Sequence, residues 1–245
     1  MTQQEDDRDQ DKKFREQPGT TGSYVITRVE RLHKPKGKYL LSLDGEPVLE
    51  VDEEVCIQFR LMQGTVLDQE QLRAIRREDT LQTAYKEAIR YIGRRPRSAA
   101  EVYQQLLRKQ VEPEAAEEIV ERLRGRQYIN DADFAVQWTQ HRIYSQKKGR
   151  LWIRQELKQK GVSGQHIHAA LEEVDEEREM EIAFELAVKK WRVMKDEARV
   201  RRQKVGAFLM RKGFPSQIVS RVLRKVVSEY PVEGEADGET SFFEE

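Results

Sequence analysis

Apolar residues recur at helical spacing through the second half of the chain, and the pattern then repeats. At an offset of 51 and then 52 positions, Val102, Ile153 and Val205 correspond, as do Leu106, Leu157 and Leu209. Val111, Val162 and Phe214 follow in register, then Ala116, Ile167 and Val219, then Val120, Leu171 and Leu223, then Leu123, Val174 and Val226. Upstream, Ala84, Ala135 and Ala187 align. A fixed period of this size marks a modular array whose units share a core. Each unit is predicted to hold three helices. The first runs over Leu81–Gly93, Ala132–Tyr144 and Met180–Met194. The second carries its anchors four residues apart, on one face. It ends in Arg-Lys-Gln-Val, Gln-Lys-Gly-Val or Arg-Lys-Gly-Phe, where Gly161 and Gly213 fit a left-handed cap and Gln110 departs from the pattern. The third helix starts near Pro113, Ser163 or Pro215. Ser98 with Glu101 forms a capping box for the second helix of unit one.

Period-two patterning is confined to residues 24–51. Tyr24–Val29, Tyr39–Leu43 and Val48–Val51 read as strands, separated by turns at Lys34-Pro35-Lys36-Gly37 and Asp44-Gly45-Glu46-Pro47. A helix is expected over Glu53–Met62, stopping at Gly64, and a longer one from Asp68 with Gln71 at the capping-box position. The expected organisation is a polar tail over 1–22, a small β-meander with helix over 23–79, repeats over 80–130, 131–174 and 175–230, and an acidic tail over 231–245. Both tails are too polar to offset their ordering entropy and are expected to be disordered, although Phe242 and Phe243 are unusual in such a setting. The fold class is mainly α: tandem three-helix repeats in an elongated, curved array with a small N-terminal β-containing segment.

Composition changes this picture in one respect. Charged residues make up 36% of the 245 and hydrophobic ones 38%, which favours much solvated helix surface over one large core. The single cysteine, Cys56, excludes a disulfide framework and a cysteine zinc site. No secretory leader or membrane span is legible, so a soluble cytoplasmic protein is expected.

No catalytic constellation is present. There is no phosphate-cradling GxxxxGK[ST] loop and no GxGxxG after a strand. Of His33, His141, His166 and His168, the last two sit i,i+2 on a helix and point apart, a poor metal pair. No enzyme activity, cofactor or metal is expected.

Net charge is zero, with 44 basic and 44 acidic residues, yet the charges are segregated. From Gln140 to Ala170 seven basic residues face one acid, Glu156, and from Lys189 to Tyr230 thirteen face three. Glu172 to Glu185 holds eight acids and one arginine. The basic blocks suit a phosphate backbone. The acidic block suits a basic protein surface or a helix N-terminus. Intramolecular ion pairs on a solvated helix face are the ordinary alternative for the basic blocks.

Three strings are more specific than periodicity. They are Ala88-Ile89-Arg90-Tyr91-Ile92-Gly93-Arg94-Arg95-Pro96-Arg97-Ser98 with Glu101 and Leu106-Leu107, then Glu121-Arg122-Leu123-Arg124-Gly125-Arg126-Gln127-Tyr128-Ile129-Asn130-Asp131 with Phe134-Ala135, then Gly149-Arg150-Leu151-Trp152-Ile153-Arg154-Gln155-Glu156-Leu157-Lys158-Gln159-Lys160-Gly161-Val162. In this order and spacing they resemble the RecX family of bacterial recombination regulators over about residues 80–230. The preceding β-containing segment is similar to that of longer RecX proteins from Gram-positive-type bacteria. The resemblance implies a non-enzymatic, all-helical regulator that binds RecA as its filament on single-stranded DNA. It would lie along the filament groove and inhibit ATP hydrolysis and strand exchange. It also implies weak DNA binding, with duplex DNA as an open case, and a monomer with no membrane partner. A helical DNA-binding transcriptional regulator is the alternative, and a protein-only scaffold a third.

With that resemblance, the basic turns become a candidate contact surface. Arg94, Arg95 and Arg97 follow the first helix of unit one, Lys147, Lys148 and Arg150 take the matching place in unit two, and Arg199, Arg201 and Arg202 in unit three. Arg154, Lys158 and Lys204 extend the set along the second helices. Tyr91, Trp152 and Trp191 are expected to be buried anchors rather than partner contacts.

Overall fold

A computed structural model of the chain describes residues 22–231, and the two expected tails fall outside it except for Gly22 and Pro231. The described chain divides into two compact units between Glu87 and Ala88.

The first unit is built on a four-stranded antiparallel sheet in the order β3-β2-β1-β4: β1 (Ser23–Arg31), β2 (Lys38–Leu43), β3 (Glu46–Asp52) and β4 (Val66–Asp68). Val29 pairs with Leu41, and Leu41 with Leu49, and the turns at Pro35–Gly37 and Asp44–Gly45 close two hairpins, whose register shifts between Ile26 and Arg28 in the first and between Leu41 and Ser42 in the second. β4 was not expected. Its three residues are too short to show a period, and pairing Tyr24 with Leu67 places it against β1. Helix α1 (Glu53–Gln58) is shorter than the expected Glu53–Met62 helix, because Arg60 turns left-handed at φ +51°. Helix α2 (Gln69–Ile92) opens with the expected reciprocal cap: Asp68 N–H donates to Gln71 Oε1 and Gln71 N–H to Asp68 Oδ1. It runs without a break through Thr80, so the helix expected from Leu81 is its second half. Ile26, Leu41, Val51, Val55, Leu67, Leu72 and Ile75 form the core of this unit. A polar tie seals one side. Asp52 caps α1 through Glu54 N–H and accepts two hydrogen bonds from Lys86 Nζ, at 2.7 and 2.8 Å. Asp79 Oδ1 accepts the Asp52 N–H.

The second unit is helical. After the end of α2 come α3 (Ala99–Arg108), α4 (Pro113–Gly125), α5 (Asp131–Gln140), α6 (Arg150–Gln159), α7 (Gly164–Glu172), α8 (Glu176–Arg192), α9 (Ala198–Arg211) and α10 (Ser216–Glu229). A π turn, His141–Ser145, extends α5. The aligned anchors are where periodicity places them: Val102, Ile153, Val205, Leu157 and Leu209 are fully buried and Leu106 nearly so. Burial of each such leucine contributes on the order of 2–3 kcal/mol. Repeats two and three share one hydrophobic cluster, from Phe134 through Trp191 and Phe214 to Val226. The Ser98–Glu101 capping box forms as expected.

The second helices end in one common turn. Gln110, Gly161 and Gly213 take φ of +63°, +72° and +88°. In each the next residue's N–H reaches back to the helix, Val111 to Leu106 O, Val162 to Leu157 O and Phe214 to Leu209 O. Repeat three differs at its other end. Val205 is the eighth residue of α9, whereas Ile153 is the fourth of α6 and Val102 the fourth of α3, so α9 carries one additional first turn. Arg199, Arg201 and Arg202 therefore lie in a helix, not on a turn as expected, alongside Lys204.

A candidate polyanion-binding face

The three second helices are laid end to end by two equivalent junctions. At the first, Ser98 Oγ at the start of α3 donates to Lys160 O at the end of α6, at 2.6 Å. At the second, Gly149 N–H at the start of α6 donates to Lys212 O at the end of α9, at 2.9 Å, and Leu151 N–H donates to Gly213 O at 3.0 Å. In both, an acid from the next repeat takes the first helical amide: Asp131 Oδ1 accepts from Ala99 N–H, and Glu179 Oε1 from Arg150 N–H, each at 2.9 Å. At the second junction amides at a helix start thus meet carbonyls at a helix end, the two sets of groups that isolated helices leave unsatisfied, while at the first the Ser98 hydroxyl takes the carbonyl. The macrodipoles align head to tail as a result. Glycine is required at the contact. A Cβ on Gly161 would overlap Ala100, and one on Gly213 would overlap the backbone of Trp152.

The acids on these helices point inward or sideways into bonds. α3 holds only Glu101, α6 only Glu156 and α9 none. Glu101 bonds Lys160 Nζ at 2.9 Å across the first junction. Burial pushes its carboxyl up, but Lys160 and the Ser98 amide outweigh that and hold it below the usual carboxylate range. Glu156 grips Arg142 through two contacts of 2.7 Å and takes the Trp138 Nε1–H at 2.8 Å. Arg142 in turn stacks over Trp138, 4.1 Å from its centroid.

With the carboxylates engaged, the outward side of the three helices is cationic. Arg108 on α3, Lys109 at its cap, Arg154 and Lys158 on α6, and Arg202 and Arg211 on α9 are exposed, and none has an ion-pair partner among the described residues. Gln104, Gln155, Gln159 and Gln203 lie exposed among them. At the second junction, Lys148 stacks over Trp152 at 4.2 Å. Burial, then the nearby Lys212 ammonium, hold the Lys148 amine below its ordinary value. That crowding of like charge is what a bound anion would relieve.

The structure sorts the sequence candidates into two groups. Arg94, Arg95, Arg154, Lys158, Arg199 and Arg202 are exposed and unpaired among the described residues, and Lys148 is half-buried over its tryptophan. The others are structural. Arg97 is largely buried against Tyr91 and Glu101. Lys147 pairs with Glu185. Arg150 pairs with the buried Glu179. Arg201 donates to Asp196 O, and Lys204 pairs with the Asp196 carboxylate. Trp191 is buried as expected, with its Nε1–H on Tyr230 O, while Tyr91 and Trp152 lie half-buried beneath cations. Much of the acidic block is engaged by the chain itself, mostly at the surface: Asp175 caps α8, Glu176 pairs with Arg221 and Glu181 with Arg178, and Glu172 lies 3.1 Å from His168 Nε2. Sequence reasoning missed Arg108, Lys109, Arg211 and Lys212. The signal was in the repeat, since Lys109, Lys160 and Lys212 align at the last turn of each second helix. Among the described residues no group of His, Cys, Asp and Glu could hold a metal, and no helix is long and apolar enough to cross a membrane.

Three family models match the helical unit: the first three-helix domain of RecX over residues 84–123, the second over 130–171 and the third over 176–223. A regulatory protein RecX of Limosilactobacillus reuteri is 36% identical over 213 residues, covering 86% of this chain and 80% of its own. The chain belongs to the RecX family. A regulatory protein RecX of Listeria monocytogenes is similar at 32% identity, over 86% of this chain and 79% of its own. Among solved structures, a crystal structure of regulatory protein RecX superposes with a TM-score of 0.74 at 36% identity, covering 81% of this chain and 98% of that one. A RecX from Lactobacillus salivarius shares the fold, with a TM-score of 0.58 at 24% identity, over 61% and 97% of the respective chains. RecX membership makes the protein one of a family of regulators, and the end-to-end second helices are what its three domains assemble here.

Proposed function

We propose that this RecX protein is a non-enzymatic negative regulator of the RecA recombinase. It binds the RecA–single-stranded DNA filament along its groove and inhibits ATP hydrolysis and strand exchange. The observation that carries this is the set of exposed, unpaired cations on α3, α6 and α9, where both carboxylates are already engaged. A polymeric partner presents repeated acidic or phosphate sites, and several weak cationic contacts held on one framework act together through effective concentration. Exposed arginine and lysine attract such a partner through phosphate neutralisation and counterion release, which makes the association salt-dependent. Arg199 adds to the proposed contacts on α9, and Arg94 and Arg95, at the turn after α2, extend them beyond the three second helices. DNA alone is a weaker ligand, because the face offers cations and glutamines without a distinct recognition helix to read base edges.

The test adds full-length protein to RecA on single-stranded DNA and follows ATP hydrolysis and strand exchange. Inhibition at stoichiometric amounts that declines in the variant R108Q/R154Q/K158Q/R211Q is the expected result. An unchanged ATPase and strand exchange with wild-type protein would remove the proposal. Specific retention of one duplex sequence without RecA would favour a transcriptional regulator instead.

A further inference from the structure

The junction between repeats is built from a start surface and an end surface, and a linear array of three leaves one of each unused. The unused end surface is the cap of α3. Its turn has the same hydrogen bonds as the other two, with Gln110 N–H on Leu107 O as Gly161 N–H is on Lys158 O and Gly213 N–H on Met210 O. Lys109 and Gln110 are exposed. A second copy of the chain could therefore add there, with the start of its own second helix of repeat three, were both surfaces open. Neither is. Gln110 holds a side chain at a position where both internal junctions, at Gly161 and Gly213, tolerate no Cβ. At the other end, the residue equivalent to Gly149 is Arg201, and its N–H is consumed within α9 by Glu197 O at 2.9 Å. The additional turn that starts at Ala198 covers the start surface.

We infer that Gln110 and the first turn of α9 are end caps of the repeat array, which stop a surface made for joining repeats from joining a second copy of the chain. A side chain at position 110 costs left-handed strain that glycine would avoid. Asp44, Arg60, Gln127 and Lys147 also take positive φ, so what singles out position 110 is its match to Gly161 and Gly213, not the strain. The regulator is thereby a clamp of fixed length, three repeats and no more.

Moving the cap into an internal junction tests this. In G161Q the first junction opens, so the Ala99 amide exchanges at least tenfold faster while amides inside α6, such as Leu157, keep their protection. G45Q is the strain control: Gly45 also has positive φ, but nothing lies within 4 Å of a Cβ there, and Ala99 is unaffected by it. Should G161Q fail to fold, G161A carries the same Cβ and is read the same way. Sedimentation equilibrium of the wild-type chain gives a monomer over the accessible concentration range. Retained Ala99 protection in G161Q or G161A would overturn the inference. So would concentration-dependent wild-type oligomers cross-linked between the end of α3 and the start of α9.

Discussion

Two ion pairs of nearly equal length separate burial from distance as the source of stability. Glu179 is fully buried on α8 and bonds Arg150 twice, Oε1 to the backbone N–H at 2.9 Å and Oε2 to Nε at 2.5 Å. Lys147 and Glu185 approach to 2.6 Å, but both side chains are exposed, at 42% and 56%. Removing one member of a buried pair costs about 3–5 kcal/mol, because the other charge is left in a poor solvent. Glu179→Gln keeps the volume and one acceptor for the Arg150 amide, which returns about 1 kcal/mol. Arg150 is itself 27% exposed and so recovers part of its hydration. The expected loss is therefore about 2–3 kcal/mol. Glu185→Gln should cost no more than about 0.5 kcal/mol. Urea unfolding followed by tryptophan fluorescence reads the right region, since Trp138, Trp152 and Trp191 all belong to or pack on the shared core of repeats two and three. With a slope of about 2–3 kcal/mol per molar urea, the Glu179→Gln midpoint falls by about 1 M. Equal midpoints for the two variants would refute the argument that burial at the second junction is what makes this carboxylate important.

Other outcomes follow from the same geometry. Gly213→Ala places a Cβ against the Trp152 backbone at φ +88°, so neither rotamer nor strain relief is available, and a loss of more than about 3 kcal/mol is expected in the same urea assay. Glu101 has a folded pKa below its unfolded one, so its bond to Lys160 adds stability that is complete above the unfolded carboxylate value of about 4.3. That contribution is lost as pH falls through the lowered folded value, and Glu101→Gln should flatten the stability profile below about pH 5. Cys56 is half-buried, and burial followed by the charges of Asp52, Asp79 and Glu53 pushes its thiol up to about 11. Its alkylation at pH 8 should be slower than that of an unfolded control at least tenfold, and equal rates would contradict the assigned environment.

How far the sequence discloses the protein depends on which signal each element carries. The second and third helices were legible because a buried face repeats every three or four residues, and the repetition of Val102, Ile153 and Val205 fixed their register. The capping boxes at Ser98 and Asp68 were legible because they are local chemistry. β4 was not, since Val66-Leu67-Asp68 is too short to show alternation. The continuity of α2 was hidden by Arg76–Thr80, a polar run that carries neither an apolar stripe nor a breaker. The cationic site was half legible. Composition identified basic segments, but which cations stay free is decided by partners distant in sequence. Arg150 looked available until Glu179, 29 residues on, was seen beneath it. Glu179 in turn looked like one more solvated acid in a run of eight. The additional turn of α9 displaced the third basic cluster from its expected place, because Arg199–Lys204 is as good a helix former as a turn.

The claim that matters most is that exposed cations on α3, α6 and α9 hold an acidic polymer. Its direct test is the salt dependence of binding to RecA filaments on single-stranded DNA, measured for wild type and for R108Q/R154Q/K158Q/R211Q. If all four cations neutralise phosphate, the slope of log K against log salt shrinks by about 3, since each phosphate neutralised on a single strand adds roughly 0.7 to it. Affinity falls with it, most steeply at low salt. An unchanged slope and affinity in a variant that remains folded would contradict the account.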